Sequence, residues 1–259
     1  MPRSFTFTSQ LPPKTTIMKR FWLTGILAGL TMLAMAQSVD DVINNYMNAL
    51  GGKEKLLSIQ SLHTTGIANF NGNEVTTETW KVQDKLYRSE TNFGMGSFAM
   101  LVTDEKGWMK SPRGSGNFDP MPEEQVKSMQ SMLDCSNPLV NYAVKGHKAE
   151  LIGKEDVEGT ECYKIKLTLK SGSDINYFID TKTSYLIRET SKGGGFGGRG
   201  GGGGRGQGDQ EMKTDYSNYQ KTEDGYMFAM TVSRGMGGAM TFEKIEVNKP
   251  VDSKLYKAE

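Results

Sequence analysis

The chain has 259 residues, with 31 basic and 30 acidic side chains, which is room for one or two domains. Hydrophobic residues make up 36% of it, without the repeated long apolar runs that a channel or transporter needs, so that class is excluded. A net charge near zero gives no general reason to bind nucleic acid, and two histidines, His63 and His147, leave little material for acid–base or metal chemistry.

The first predicted element is an export signal. Met18-Lys19-Arg20 precedes an apolar stretch that ends at Ala34-Met35-Ala36, the small-residue pattern of a signal-peptide cleavage site. A membrane anchor is the alternative, but it needs roughly 18 or more apolar residues. We expect an upstream segment plus signal peptide over residues 1–36, the signal itself being 18–36 and cleaved after Ala36. The mature chain, 37–259, is then expected in the periplasm as a monomer that is not integral to the membrane.

An amphipathic helix is predicted at the start of the mature chain. Ser38 can cap it and Gly51-Gly52 can end it. A short second helical turn is expected over 53–59. The apolar residues of the first helix recur at helical spacing and are Val39, Val42, Ile43, Tyr46, Met47 and Leu50.

From Ser61 onward the apolar period changes towards 2, which predicts strands. Turn signals such as Glu158-Gly159 and Asp224-Gly225 separate the runs, as in antiparallel hairpins. Apolar residues alternate with polar ones over 163–169 and again over 226–232, which places one face on a core. The alternation over 240–247 is too weak to assign faces.

One helix interrupts the strands. Pro120-Met121-Pro122 leads into 123–133, and acidic residues in the first turn suit a helix N-terminus. Its apolar side carries Val126, Met129, Met132 and Leu133. About five strands come before this helix and about six after it, so the plan is α+β, mainly β, with a single antiparallel sheet curled around one or two helices.

A glycine-rich segment occupies 193–208, where 12 of 16 residues are glycine. It satisfies the G-x-G-x-x-G nucleotide fingerprint, but a strand-like segment follows it where that motif requires a helix. Its Gly-Gly-Arg pattern also occurs in disordered RNA-binding segments, although an exported protein meets little RNA. We expect a disordered, swollen hairpin loop that serves as a mobile spacer, with a partner-binding role as the alternative.

Motifs for catalysis are missing from the sequence. There is no H-E-x-x-H, C-x-x-C or G-x-S-x-G pattern, and each histidine is expected to be a strand or surface residue. We therefore expect no catalytic residues, no metal and no cofactor. A hydrolase built on two converging carboxylates stays open as a less favoured alternative.

Cys135 and Cys162 both lie in the exported part, where oxidising conditions allow a disulfide. Such a bridge would stabilise the chain by roughly 3 kcal/mol in the chain-entropy model. Two separate buried thiols are the alternative, because free cysteine packs as a small hydrophobic residue.

Methionine is abundant, with 16 in the chain. Several stand beside aromatic residues or glycines, as in Met95–Met100 and Met227–Met230. Flexible, polarisable methionine surfaces suit apolar ligands of variable shape. Core filling is the simpler interpretation, and a copper(I) site is a third, since thioethers select that ion.

Several segments together resemble the LolA-like superfamily of periplasmic outer-membrane lipoprotein-sorting proteins. The resemblance covers nearly all of 37–259, although each segment is short. The segments are 46–56, Gly107-Trp108-Met109, 138–142, 146–155, 157–160, Asp215-Tyr216 and 245–248.

This resemblance implies an unclosed β-barrel wrapped around one to three short helices, with an apolar cavity that takes acyl chains. The expected function is a carrier-type protein that binds lipid or lipoprotein acyl chains and is not an enzyme. An envelope sensor or scaffold that binds a protein partner is the alternative. The candidate lipid-binding residues, chosen because they are large, apolar and on predicted strands, are Phe98, Met100, Trp108, Phe228 and Met230.

Overall fold

The computed structural model describes residues 1, 38–70, 72–94, 96–112, 114, 116–192, 211–234 and 238–259. The predicted signal peptide, 18–36, and the glycine-rich loop, 193–208, lie outside the described residues. Residues 39–259 form one compact unit.

The elements follow one another as two helices, six strands, a third helix and seven strands. The helices are α1 (Val39–Ala49), α2 (Lys53–Leu57) and α3 (Glu123–Met129), with 3-10 turns at Gln130–Leu133 and Ser253–Tyr256. The strands are β1 (Ser61–Phe70), β2 (Asn73–Val82), β3 (Leu86–Asn92), β4 (Ser97–Thr103), β5 (Gly107–Lys110), β6 (Asp119–Pro120), β7 (Lys148–Val157), β8 (Thr160–Thr168), β9 (Asp174–Asp180), β10 (Leu186–Lys192), β11 (Glu211–Lys221), β12 (Met227–Arg234) and β13 (Ala239–Val247).

The strands that the structure describes form one 13-stranded antiparallel sheet in the order β6-β5-β4-β3-β2-β1-β13-β12-β11-β10-β9-β8-β7. β6 and β7 are the two edges, so the sheet is not closed. The predicted α+β, mainly β class with a single open antiparallel sheet is confirmed. The predicted count, about five strands before α3 and about six after it, was one short on each side. A strand as short as the two-residue β6 has too few residues to show an alternating pattern.

Helix α1 forms where the helical apolar spacing predicted it and covers one half of the sheet. Val42, Ile43, Tyr46 and Met47 are buried and pack with side chains from β8 and β9. The helix ends because Gly51 and Gly52 take positive φ values of 118° and 101°, which side-chain-bearing residues rarely adopt.

The strand register defines an inner face, which carries α1, and an opposite outer face. Directly paired residues share a face, so the row Ile165, Tyr177, Glu189, Thr214 and Arg234 is inner. The row Val247, Leu62, Lys81, Tyr87 and Val102 is inner in the other half of the sheet.

A register shift explains why the sequence pattern of β13 was weak. Thr65 pairs with Lys244, whereas the next residue, Gly66, pairs with Phe242. The extra residue, Glu243, makes a β-bulge, which reverses the inward and outward alternation at that point. No simple period-2 pattern can therefore run through 240–247.

The two cysteines are not joined in this structure, which has the second of the two alternatives, separate buried thiols. Both thiols are free and buried. Cys135 belongs to the core beneath α1, whereas Cys162 alternates with the inward-facing Tyr163 on β8 and so lies on the outer face, in a small cluster with Phe178. Because the sheet separates the two side chains, they occupy separate buried sites.

Candidate ligand-binding site on the inner face of the sheet

A methionine-rich apolar cluster lies between β3–β4 and α3, on the inner face. We call it the methionine cluster. Its buried members are Tyr87, Met100, Val102, Val126 and Leu133, and its partly buried members are Phe98, Met121, Met129 and Met132. Four of these nine residues are methionines. Because methionine changes rotamer easily and fills irregular space, such a lining adapts to apolar chains of variable shape.

Helix α3 approaches the sheet closely because β5 begins with glycine. Gly107 pairs with Val102 and so lies on the inner face. A Cβ atom there would lie 3.0 Å from Cγ2 of Val126 and 3.1 Å from Sδ of Met121, both tighter than ordinary van der Waals separation. The missing side chain is what allows α3 to cover the cluster at this distance.

A strip of charged and polar side chains continues the inner face beside the methionine cluster. We call it the charged strip, and it comprises Lys81, Glu189, Tyr216 and Arg234. Lys81, Glu189 and Tyr216 are half-buried and Arg234 is exposed. Although Lys81 belongs to β2 and the others to β10–β12, Lys81 interacts electrostatically with Glu189 and Arg234. The curl of the sheet therefore brings the two halves of the inner face within electrostatic range.

Desolvation is the largest cause of the pKa shifts of Lys81, Glu189 and Tyr216. It lowers the pKa of the Lys81 ammonium, and the negative charges of Cys135, when ionised, and of Asp134 partly offset this lowering. It raises the pKa of Glu189, against a hydrogen bond with Tyr216 and the charge of Arg234. Because Lys81 and Glu189 lie on distant strands and still interact, the charged strip belongs to the concave side of the curled sheet, which we call the hollow.

Hydroxyl groups continue the inner face between these features. Thr77 and Thr91 hydrogen-bond across β2 and β3 at 3.0 Å, and Thr79 donates to Ser89 at 3.2 Å. These pairs lie in rows beside Lys81 and Tyr87. The floor of the hollow is therefore apolar under α3 and polar towards the middle of the sheet, which suits a ligand with an apolar and a polar end.

The structure brings together only some of the predicted lipid-binding residues. Phe98 and Met100 both belong to the methionine cluster. Phe228 packs against the core beneath α1, and Met230 follows two residues later on the same face of β12. Trp108 pairs with Leu101 and therefore points away from Met100. It lines a pocket of about 220 Å³ at the sheet edge, which Met121 and Val126 of the methionine cluster also line.

A second pocket of about 220 Å³ lies on the outer face beneath the C-terminal segment. His63 stacks on Trp80 there, with ring centroids 5.0 Å apart, and its Nδ1 lies 2.9 Å from Oε2 of Glu246. Ser61 completes a serine, histidine and carboxylate set, but its hydroxyl donates to the carbonyl of Lys249 at 2.7 Å. A nucleophilic serine needs its base as hydrogen-bond partner, so this arrangement fits strand pairing better than catalysis.

The described residues contain neither a metal-binding cluster nor a membrane-spanning helix. Within that part of the chain, no group of three or more His, Cys, Asp or Glu residues is placed to hold a metal ion. No described helix has the length and apolar character needed to cross a membrane.

Comparison with known proteins identifies the fold. No protein-family model and no curated protein matches the sequence. A DUF1329 family protein from Desulfovibrio piger matches the structure with a TM-score of 0.52 at 12% identity, over 86% of this chain and 98% of that one. A LolA superfamily protein from Nitrosomonas europaea matches with a TM-score of 0.52 at 10% identity, over 86% of this chain and 99% of that one. The open antiparallel sheet with α1 and α3 on its inner face is the LolA-like fold.

Proposed function

We propose that this protein is a periplasmic carrier-type protein, not an enzyme, that holds the acyl chain of a lipid or lipoprotein in the methionine cluster. The observation that carries the proposal is the cluster itself. It is apolar, rich in methionine and only partly buried, because Phe98, Met121, Met129 and Met132 keep some solvent contact. A fully packed core leaves no apolar surface for a ligand, whereas the methionine cluster keeps some of its apolar surface accessible.

The energy available from such a surface is large enough for a carrier. Transfer of an acyl chain from water gains about 0.8 kcal/mol per methylene, so a chain of about 16 carbons offers on the order of 10 kcal/mol before ordering costs are subtracted. A carrier must also release its cargo. Helix α3 is short, seven residues, and continues as a single 3-10 turn, so a modest movement of this element changes the contact area.

Native mass spectrometry with lipid extraction tests the proposal. Residues 37–259 would be purified from a periplasm without detergent. A stoichiometric extra mass that dissociates as phospholipid or acylated peptide is the expected result. Phe98→Glu should remove that mass by placing a charge in the methionine cluster. Ile152→Glu is the matched control, because Ile152 is half exposed on the edge strand β7 and its variant should retain the mass.

A mass equal to the bare polypeptide, from folded protein, would contradict the proposal. The inner face would then be a candidate binding surface for a protein partner instead of a lipid. Equal loss of lipid from Phe98→Glu and Ile152→Glu would also count against it, because it would show that binding is not located at the methionine cluster.

A further inference from the structure

The charged strip begins directly beside the methionine cluster. Lys81 pairs with Tyr87 on the neighbouring strand, and its ammonium nitrogen lies 5.7 Å from the centre of the Tyr87 ring. Tyr87 is itself a buried member of the methionine cluster. A ligand whose apolar chain lies in that cluster therefore places its other end near Lys81.

Lys81 is short of partners for a desolvated cation. Its ammonium carries three protons, and among the described residues its one hydrogen bond goes to the backbone carbonyl of Asp134, at 3.1 Å. The Asp134 carboxylate is held elsewhere, since Lys145 donates to its Oδ2 at 2.5 Å. A cation removed from water is stable only where a counter-charge or further acceptors are supplied.

Glu189 does not neutralise the strip. Arg234 lies on the same inner row, two strands away through Thr214, and adds a second positive charge. The single carboxyl of Glu189 hydrogen-bonds with Tyr216, and desolvation raises its pKa, which disfavours its charged form. Two cationic side chains, Lys81 and Arg234, therefore share one carboxyl group, that of Glu189, and the formal charges of the strip leave a positive excess.

We propose that the cargo is an amphiphile with an anionic head group, which Lys81 and Arg234 bind while its acyl chain lies in the methionine cluster. This inference rests on the proposed function and adds the chemical class of the ligand. The hydroxyl pair Thr79–Ser89, in the inward row next to Lys81 and Tyr87, supplies further hydrogen-bonding groups beside the head group. Charge-assisted hydrogen bonds from Lys and Arg to phosphate or carboxylate are among the strongest that a protein makes.

The test compares two lipids of equal chain length that differ in charge. Myristoyl lysophosphatidylglycerol is anionic, and monomyristoylglycerol is neutral. Each would be titrated into residues 37–259 by displacement of a fluorescent fatty-chain probe, with glycerol 3-phosphate as the head group alone. The wild-type protein should bind the anionic lipid about tenfold or more tightly than the neutral one, and glycerol 3-phosphate should displace nothing in the same range.

The variants locate the preference. Lys81→Met should remove most of it by weakening the anionic lipid far more than the neutral one, and Lys81→Arg should keep it. Arg234→Gln should have a smaller effect because Arg234 is exposed. Lys166→Met is the control of equal charge change, since Lys166 lies on the outer face in an ion pair with Asp174. Thermal melts would confirm that each variant is folded.

Four outcomes decide the matter. A charge preference that depends on Lys81 supports the inference. Equal affinity for both lipids, or equal weakening of both by Lys81→Met, overturns it and leaves lipid binding in place. Displacement by glycerol 3-phosphate alone also overturns it, because the strip would then be a site for free phosphate esters. Binding of neither lipid defeats the proposed function and the inference together.

Discussion

Substitution of Gly107 by alanine tests how α3 is placed over the sheet. The new Cβ would lie 3.0 Å from Cγ2 of Val126 and 3.1 Å from Sδ of Met121, whereas carbon atoms prefer about 3.5 to 4.0 Å. The helix must therefore retreat by several tenths of an ångström. Overpacking of this kind costs about 1–3 kcal/mol. Against this, any replacement of glycine by alanine gains about 0.4–1 kcal/mol by restricting the unfolded chain.

A matched variant cancels the unfolded-state gain. Gly114 is exposed, and its Cβ would meet nothing closer than Ser111, at 3.5 Å. Gly114→Ala should therefore be neutral or slightly stabilising. The difference in unfolding free energy between the two variants then isolates the strain, about 1–3 kcal/mol. This corresponds to about 2–12 °C in Tm for a domain of this size.

Urea unfolding and calorimetry would measure that difference. Displacement of α3 should also change the affinity of the methionine cluster for a fatty-chain probe, because α3 supplies Val126 and Met129 to it. Equal stability of Gly107→Ala and Gly114→Ala would refute the reasoning. It would show that α3 does not rest on β5, and the methionine cluster would then have to be redefined.

Three further predictions concern the inner face and the thiols. Phe98→Glu and Met230→Glu should each abolish binding of a fatty-chain probe while the protein stays folded. Unchanged binding of the probe by either variant would remove that residue from the site. In native protein at pH 8, Cys135 and Cys162 should react slowly with an alkylating reagent, because burial raises the pKa of each thiol to about 11 and leaves about a thousandth of it as thiolate. Reduction should add no mass, because both thiols are free. Desolvation raises the pKa of Glu189 above its unfolded value of 4.5. In urea titrations from pH 4 to 8, Glu189→Gln should therefore match the stability of the wild type below pH 4.5 and exceed it as the pH rises through the folded pKa. A stability difference that grows towards low pH would contradict this.

Local patterns were sufficient for the secondary structure. The helical spacing of Val42, Ile43, Tyr46 and Met47 predicted α1 and its buried face. The alternation that predicted an inward face for β8 is borne out, since Ile165 and Leu167 are fully buried. The prediction of a helix over 123–133 is confirmed, although its last turn is a 3-10 turn. These features depend on interactions within a few residues, which sequence periodicity records directly.

Site residues were harder to predict because they depend on which face a strand residue occupies. Met100 and Trp108 were both large and apolar on predicted strands, yet the register of β4 and β5 places them on opposite faces. The charged strip was missed altogether. β2 carries polar residues on both faces, so nothing in the local pattern distinguishes Lys81 from a solvated lysine.

Periodicity and turn residues act locally, so they were enough to predict α1, the helical insertion and an antiparallel series of hairpins. The residues of the site come together only through contacts between distant strands. The bulge at Glu243, opposite Thr65 and Gly66, set the faces of β13, and the curl of the open sheet brought Lys81 within range of Glu189 and Arg234. Contacts between distant strands arise from register and curvature, which accumulate over the whole sheet and leave no signature at any single position.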